Sequence, residues 1–161
     1  MSTDLTALET LHLDTSGLPE VPFIPYSEHV TIKLLRIDRA SGQIAVILKG
    51  PPGARIGRHK HYGSVILYTI RGAWRYLEHD WVAKEGSFVY EPPGEIHTLV
   101  VDEQVGATEM ITFFNIHGAM VYVDEAGEVT GYEDVFTKIG MCRRHYAGNG
   151  LGEGCVDQFV R

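Results

Sequence analysis

Between Val30 and Thr130 the chain runs as short stretches rich in Val, Ile, Thr, Tyr and Phe, each closed by glycine or proline. The stretches are Val30–Ile37, Gln43–Leu48, Ser64–Ile70, Ala73–Leu77, Ser87–Glu91, Thr98–Asp102, Thr108–Ile116 and Ala119–Asp124. The breaks are Ser41-Gly42, Pro51-Pro52-Gly53, Gly72, Glu85-Gly86, Pro92-Pro93-Gly94 and Ala126-Gly127. β-branched and aromatic side chains suit a pleated, half-buried surface, and these breaks are turn formers. So many strands with no helix between them predict an all-β sandwich or barrel. At 161 residues the chain is one domain with a sizeable core.

The two ends differ from this centre. Residues 1–29 read as an extended arm, because Pro19, Pro22 and Pro25 recur every third position and disfavour helix. Phe23, Ile24 and Tyr26 in that arm call for burial, either on the arm's own domain or on a neighbouring subunit. Residues 30–132 form the barrel. In residues 133–161 only one helix is legible: Val135, Ile139, Cys142 and Tyr146 recur at spacings of four, three and four, and Gly148 and Gly150 stop it. Its apolar stripe is expected to cover an open end or face of the barrel.

Charge narrows the function. Fourteen Lys and Arg against twenty-one Asp and Glu give a net charge of −7, the wrong sign for neutralising phosphates or docking on an anionic membrane. The first basic residue is Lys33, and the opening carries Asp4, Glu9 and Asp14, unlike a signal or transit peptide. No apolar run approaches the length of roughly 18 residues that crosses a bilayer. These features point to the cytoplasm, where Cys142 and Cys155 are expected to stay thiols.

The chemistry-bearing pattern is His59-Lys60-His61, followed by His97. Side chains alternate along a strand, so His59 and His61 share a face and Lys60 points away. His97 follows the Pro92-Pro93-Gly94 turn. If its strand neighbours that of His59, three imidazoles meet. Three neutral nitrogen donors with open remaining positions suit one divalent transition metal such as Fe(II), Zn, Ni or Mn. An isolated His-x-His pair is weak evidence; here it sits in a larger frame of glycines and prolines that make tight corners.

That frame resembles the cupin superfamily. Gly53, His59, His61 and Gly72 stand at the spacings of its first motif, and Gly86, Pro92, Gly94 and His97 at those of its second. The resemblance implies a single-domain jelly-roll barrel with His59, His61 and His97 as metal ligands. Two positions depart from the pattern: Val65 replaces the usual glutamate ligand and Val101 the usual asparagine. Within the superfamily, Ile44 to about Thr130 is most similar to the 2,4'-dihydroxyacetophenone dioxygenase family. Acetylacetone-cleaving dioxygenases and the cupin domain of ChrR anti-sigma factors are more distant. This narrower resemblance implies Fe(II), O2 as co-substrate, and cleavage beside the ketone of a small hydroxyketone or diketone. Cupin folds also host isomerases and lyases that use the metal as a Lewis acid, and sensing modules without turnover. A sensing module usually belongs to a longer chain with its own partner-binding domain, so this option is less expected here without being removed.

Glu91, directly before Pro92, could face inward and hydrogen-bond a histidine ligand or the substrate, as outer partners of metal-bound imidazoles do. Glu78 shares strand parity with Trp74 and Tyr76 and is the second candidate carboxylate; Arg75 lies on the opposite face. Tyr68 and Tyr90 are candidates for pocket wall or core, and His117 for a structural imidazole or a further ligand. Open strand edges lead to the expectation of a homodimer or higher homo-oligomer.

Overall fold

A computed structural model describes residues 10–161; the first nine residues of the expected arm lie outside the described residues. Thirteen strands are formed among them. They are β1 (Val21–Pro22), β2 (Ser27–Glu28), β3 (Thr31–Asp38), β4 (Gln43–Gly50), β5 (Arg55–His61), β6 (Val65–Arg71), β7 (Ala73–Tyr76), β8 (Ala83–Lys84), β9 (Phe88–Glu91), β10 (Ile96–Val101), β11 (Met110–His117), β12 (Met120–Val123) and β13 (Val129–Glu133). One sheet has the order β1-β3-β4-β11-β6-β9 and the other β13-β12-β5-β10-β7-β8, with β2 added against β5. All named strand pairs are antiparallel. The two sheets face each other around one core, an all-β sandwich.

Alternation decides what enters that core. In β4 Ile44, Val46 and Leu48 are buried, and in β6 Val65, Leu67 and Thr69 are buried while Ile66, Tyr68 and Ile70 face out. Every second side chain of a strand sees the same face, so each inward position loses its apolar surface to water exclusion. Trp74 is fully buried, and its indole N–H donates to Thr69 Oγ1 at 2.9 Å, which satisfies the one polar atom of a large apolar ring.

The described end of the arm, from Val21 to Glu28, lies on its own chain. Val21 pairs with Ile32, Ser27 pairs with Ile56, Phe23 is buried, and the Tyr26 ring stacks on Tyr122 at 3.9 Å between centroids. At the other end stands α1 (Val135–Gly148). Asp134 caps it by accepting from the Phe136 and Thr137 amides, while the Thr137 side chain accepts from the Asp134 amide. This reciprocal box satisfies donors that a helix start leaves unpaired. The expected stripe of Val135, Ile139, Cys142 and Tyr146 is buried, and Lys138 is buried with it. Beyond the helix, Val156 and Phe159 also enter the core, and Val160 bridges to Ile37 of β3.

Candidate metal centre

Register brings the three histidines together. In the β5–β10 pair His97 stands directly opposite His59, and His61 lies two residues along β5 on the same face. The turn before β10 is tied to the ligand strand itself: the Gly94 amide donates to the His61 carbonyl at 2.8 Å. Gly94 sits at φ 90°, a backbone conformation that disfavours any side chain. The Pro-Pro-Gly corner therefore sets where His97 begins, and the strand pairing sets where its ring ends.

The three rings are buried, with centroids 4.8–6.0 Å apart, and one nitrogen from each lies within 4.8 Å of the others. Burial, reinforced by the neighbouring imidazoles His61 and His97, lowers the His59 pKa to about 3. Burial also lowers His61 to about 4, with Glu91 opposing and His97 and Lys138 assisting. Both rings are thus neutral near pH 7, the form that offers a lone pair. His59 Nδ1 is 2.6 Å from the Gly57 carbonyl, which can only accept, so Nδ1 carries the proton and Nε2 keeps the lone pair. Nδ1 of His61 and both ring nitrogens of His97 are buried without hydrogen-bond partners. Converging buried imidazoles with unsatisfied nitrogens fit a divalent transition metal.

Glu91 is the fourth group in the cluster. It is 2% exposed, and one oxygen accepts from the Tyr76 hydroxyl. Its other oxygen, Oε2, stands 3.5 Å from His61 Nε2 and 3.4 Å from His97 Nε2. Burial raises the pKa of this carboxyl, but His97, His61 and the Tyr76 hydroxyl outweigh burial and hold it below the ordinary value. The Tyr76 ring stacks on His97 at 3.9 Å between centroids and 12° between planes, which fixes the imidazole from its other side.

Other sequence expectations end elsewhere. Glu78 is not at the cluster. Strand β7 stops at Tyr76, so alternation does not extend to Glu78, which is exposed and accepts from the Thr98 amide at 2.8 Å and the Thr98 hydroxyl at 3.1 Å. It braces the strand that carries His97 and leaves the metal side to Glu91. Tyr68 and Tyr90 face outward and are exposed, because Leu67 and Glu91 take the inward positions beside them. His117 ends β11 outside the three-histidine group. Arg75 is outward, 3.7 Å from Asp102, as its parity requires.

A small cavity of about 30 Å³ lies against His59 and His61. Its wall is apolar, with Phe23, Val46, Phe114, Ile116 and Met120, except where Glu133 and Lys138 enter it. Lys138 is a pocket residue the sequence reading passed over. Its Nζ pairs with Glu133 and lies 4.1 Å from the centroid of the Phe23 ring, and Glu133 also accepts from the Tyr122 hydroxyl at 3.1 Å. The available signal was its place on the buried stripe, three residues after Val135 and four before Cys142. Together these features make a largely apolar cavity with His59 and His61 in its wall.

Residues 12–121 match the family described as the ChrR cupin-like domain. Among solved structures, an RmlC-like cupin protein from Ralstonia eutropha JMP134 is 36% identical at a TM-score of 0.82, covering 89% of this chain and 91% of its own. A second protein from that organism, of unknown function with a cupin-like fold, is 26% identical at a TM-score of 0.81, covering 91% of each chain. An acetylacetone dioxygenase from Acinetobacter johnsonii shares the fold at 19% identity and a TM-score of 0.73, covering 88% of this chain and 95% of its own. Among curated proteins none matches the sequence. No helix among the described residues is long and apolar enough to cross a membrane.

Proposed function

This chain belongs to the ChrR cupin-like domain family, and on that premise we propose that it is a non-haem iron(II) dioxygenase that cleaves the carbon–carbon bond beside a ketone in a small diketone or hydroxyketone. The observation that carries this reading is the set of three buried, converging histidines beside a largely apolar cavity. An iron(II) ion bound there supplies Lewis acidity toward the substrate oxygens and the redox chemistry that O2 requires.

The chain's own residues account for selection and protection. The Gly57 carbonyl holds His59 in the tautomer that presents Nε2. Buried Val65, opposite Glu91 and standing where other cupins carry a glutamate ligand, adds no polar group of its own there. The charge of Glu91 beside the cluster reduces the excess of a bound dication to one positive charge, which a singly deprotonated diketone balances. The dioxygenase from Acinetobacter johnsonii supports the fold's capacity for this chemistry, and acetylacetone is accordingly the first substrate to offer.

Protein loaded anaerobically with Fe(II) is expected to take up O2 when given acetylacetone or 2,4'-dihydroxyacetophenone. Uptake should require substrate and iron, and His97→Ala should abolish it. An oxygen electrode checks this. Iron binding without uptake on either substrate would overturn the proposed reaction and favour a non-redox enzyme or a ligand-sensing module.

A further inference from the structure

We propose that Glu91 is a fourth ligand of the metal, supplying from β9 the carboxylate that position 65 of β6 lacks. This inference rests on the reading of His59, His61 and His97 as a metal centre. Val65 and Glu91 are directly opposed in the β6–β9 pair, so their side chains leave the sheet together toward the same interior space. A carboxylate at either position of such a pair serves nearly the same point.

The geometry at Glu91 is that of a ligand held in reserve. The Tyr76 hydroxyl binds one oxygen and limits rotation of the carboxylate. The other oxygen is buried with no hydrogen-bond partner. A buried carboxylate oxygen without a partner is costly unless something positive meets it. Its separations of 3.4 and 3.5 Å from two histidine nitrogens are at the outer limit for hydrogen bonds. Two donors on one metal, each bonded at about 2.0–2.2 Å and separated by octahedral to tetrahedral angles, stand about 2.8–3.6 Å apart. The observed separations therefore match those of donors that share an ion. Three imidazoles and this carboxylate would form a set of one anionic and three neutral donors.

Cobalt(II) and zinc(II) test the assignment without turnover. Wild-type protein is expected to bind one Co(II), with a visible spectrum that Glu91→Gln alters in position or intensity. Chelator competition should show Zn(II) affinity in Glu91→Gln reduced by more than about 100-fold, above the upper range for loss of an outer hydrogen-bond partner. The paired variant Val65→Glu/Glu91→Gln is expected to recover at least tenfold of that loss, because the carboxylate is returned to the same point from the opposite strand. An unchanged cobalt spectrum in Glu91→Gln would overturn Glu91 as a ligand, whatever its affinity, and would leave the three-histidine centre standing. Failure of the wild type to bind either ion would overturn the centre itself.

Discussion

Lys138→Ala is expected to destabilise the fold by about 3–5 kcal/mol, the usual loss when one partner of a buried ion pair is removed. Lys138 and Glu133 are 4% and 5% exposed, and they lie in the wall of the metal cavity. Removing the ammonium leaves the Glu133 carboxylate buried with the Tyr122 hydroxyl as its remaining partner. It also takes away the cation beside the Phe23 ring, one of the contacts between α1 and the N-terminal segment. Lys138→Met combined with Glu133→Leu is expected to recover most of the loss, because the cavity wall is otherwise apolar and no charge is then stranded. Urea unfolding of the wild type, the single variant and the double variant checks both statements. Equal destabilisation in the single and double variants would show that the charges themselves were not the source.

Lowering the pH is expected to unfold the metal-free protein well before its exposed carboxylates are all protonated. The folded state holds His59 near pKa 3 and His61 near pKa 4, whereas in the unfolded chain both return to about 6.5. Above pH 6.5 the rings are neutral in both states and stability does not depend on them. Below it the unfolded chain binds protons that the folded chain refuses, so stability falls with a limiting slope of about 2.7 kcal/mol per pH unit for two sites. The fall continues until the folded rings titrate, near pH 4 and then pH 3. Glu91 acts in the same direction: its folded pKa lies below the ordinary value, so its contribution is present at neutral pH and is lost as pH drops through the carboxylate range. The total reaches several kcal/mol between pH 6.5 and 4. Denaturant midpoints of chelator-treated protein at pH 7.5, 6, 5 and 4.5 measure it, and a flat profile would contradict it.

Features carried by neighbouring residues could be read from the sequence. His59 and His61 share a face because they are two apart on one strand, and the stripe from Val135 to Tyr146 follows helical spacing. The turn residues marked most strand ends, and motif spacing brought His97 to the same point. Features decided by strand length and pairing could not be read this way. Glu78 was aligned with Tyr76 by parity, but the strand ends at Tyr76 and the chain turns. An inward Tyr90 was incompatible with an inward Glu91, its neighbour on the same strand, and only the packing shows which one the core accepts. The opposition of Val65 and Glu91 depends on two strands whose register no local pattern displays. Lys138 was overlooked because lysine is rarely buried, and the Glu133 that makes its burial tolerable lies on a different element.

The central claim is that His59, His61 and His97 of each chain hold one divalent ion. Anaerobic equilibrium dialysis against Fe(II), with iron counted per chain, tests it most directly. Wild-type protein is expected to retain one iron per chain, and the His59→Ala/His97→Ala variant none, with both folded by circular dichroism at pH 7.5. A wild type that retains no iron, or a double variant that retains one, would contradict the claim.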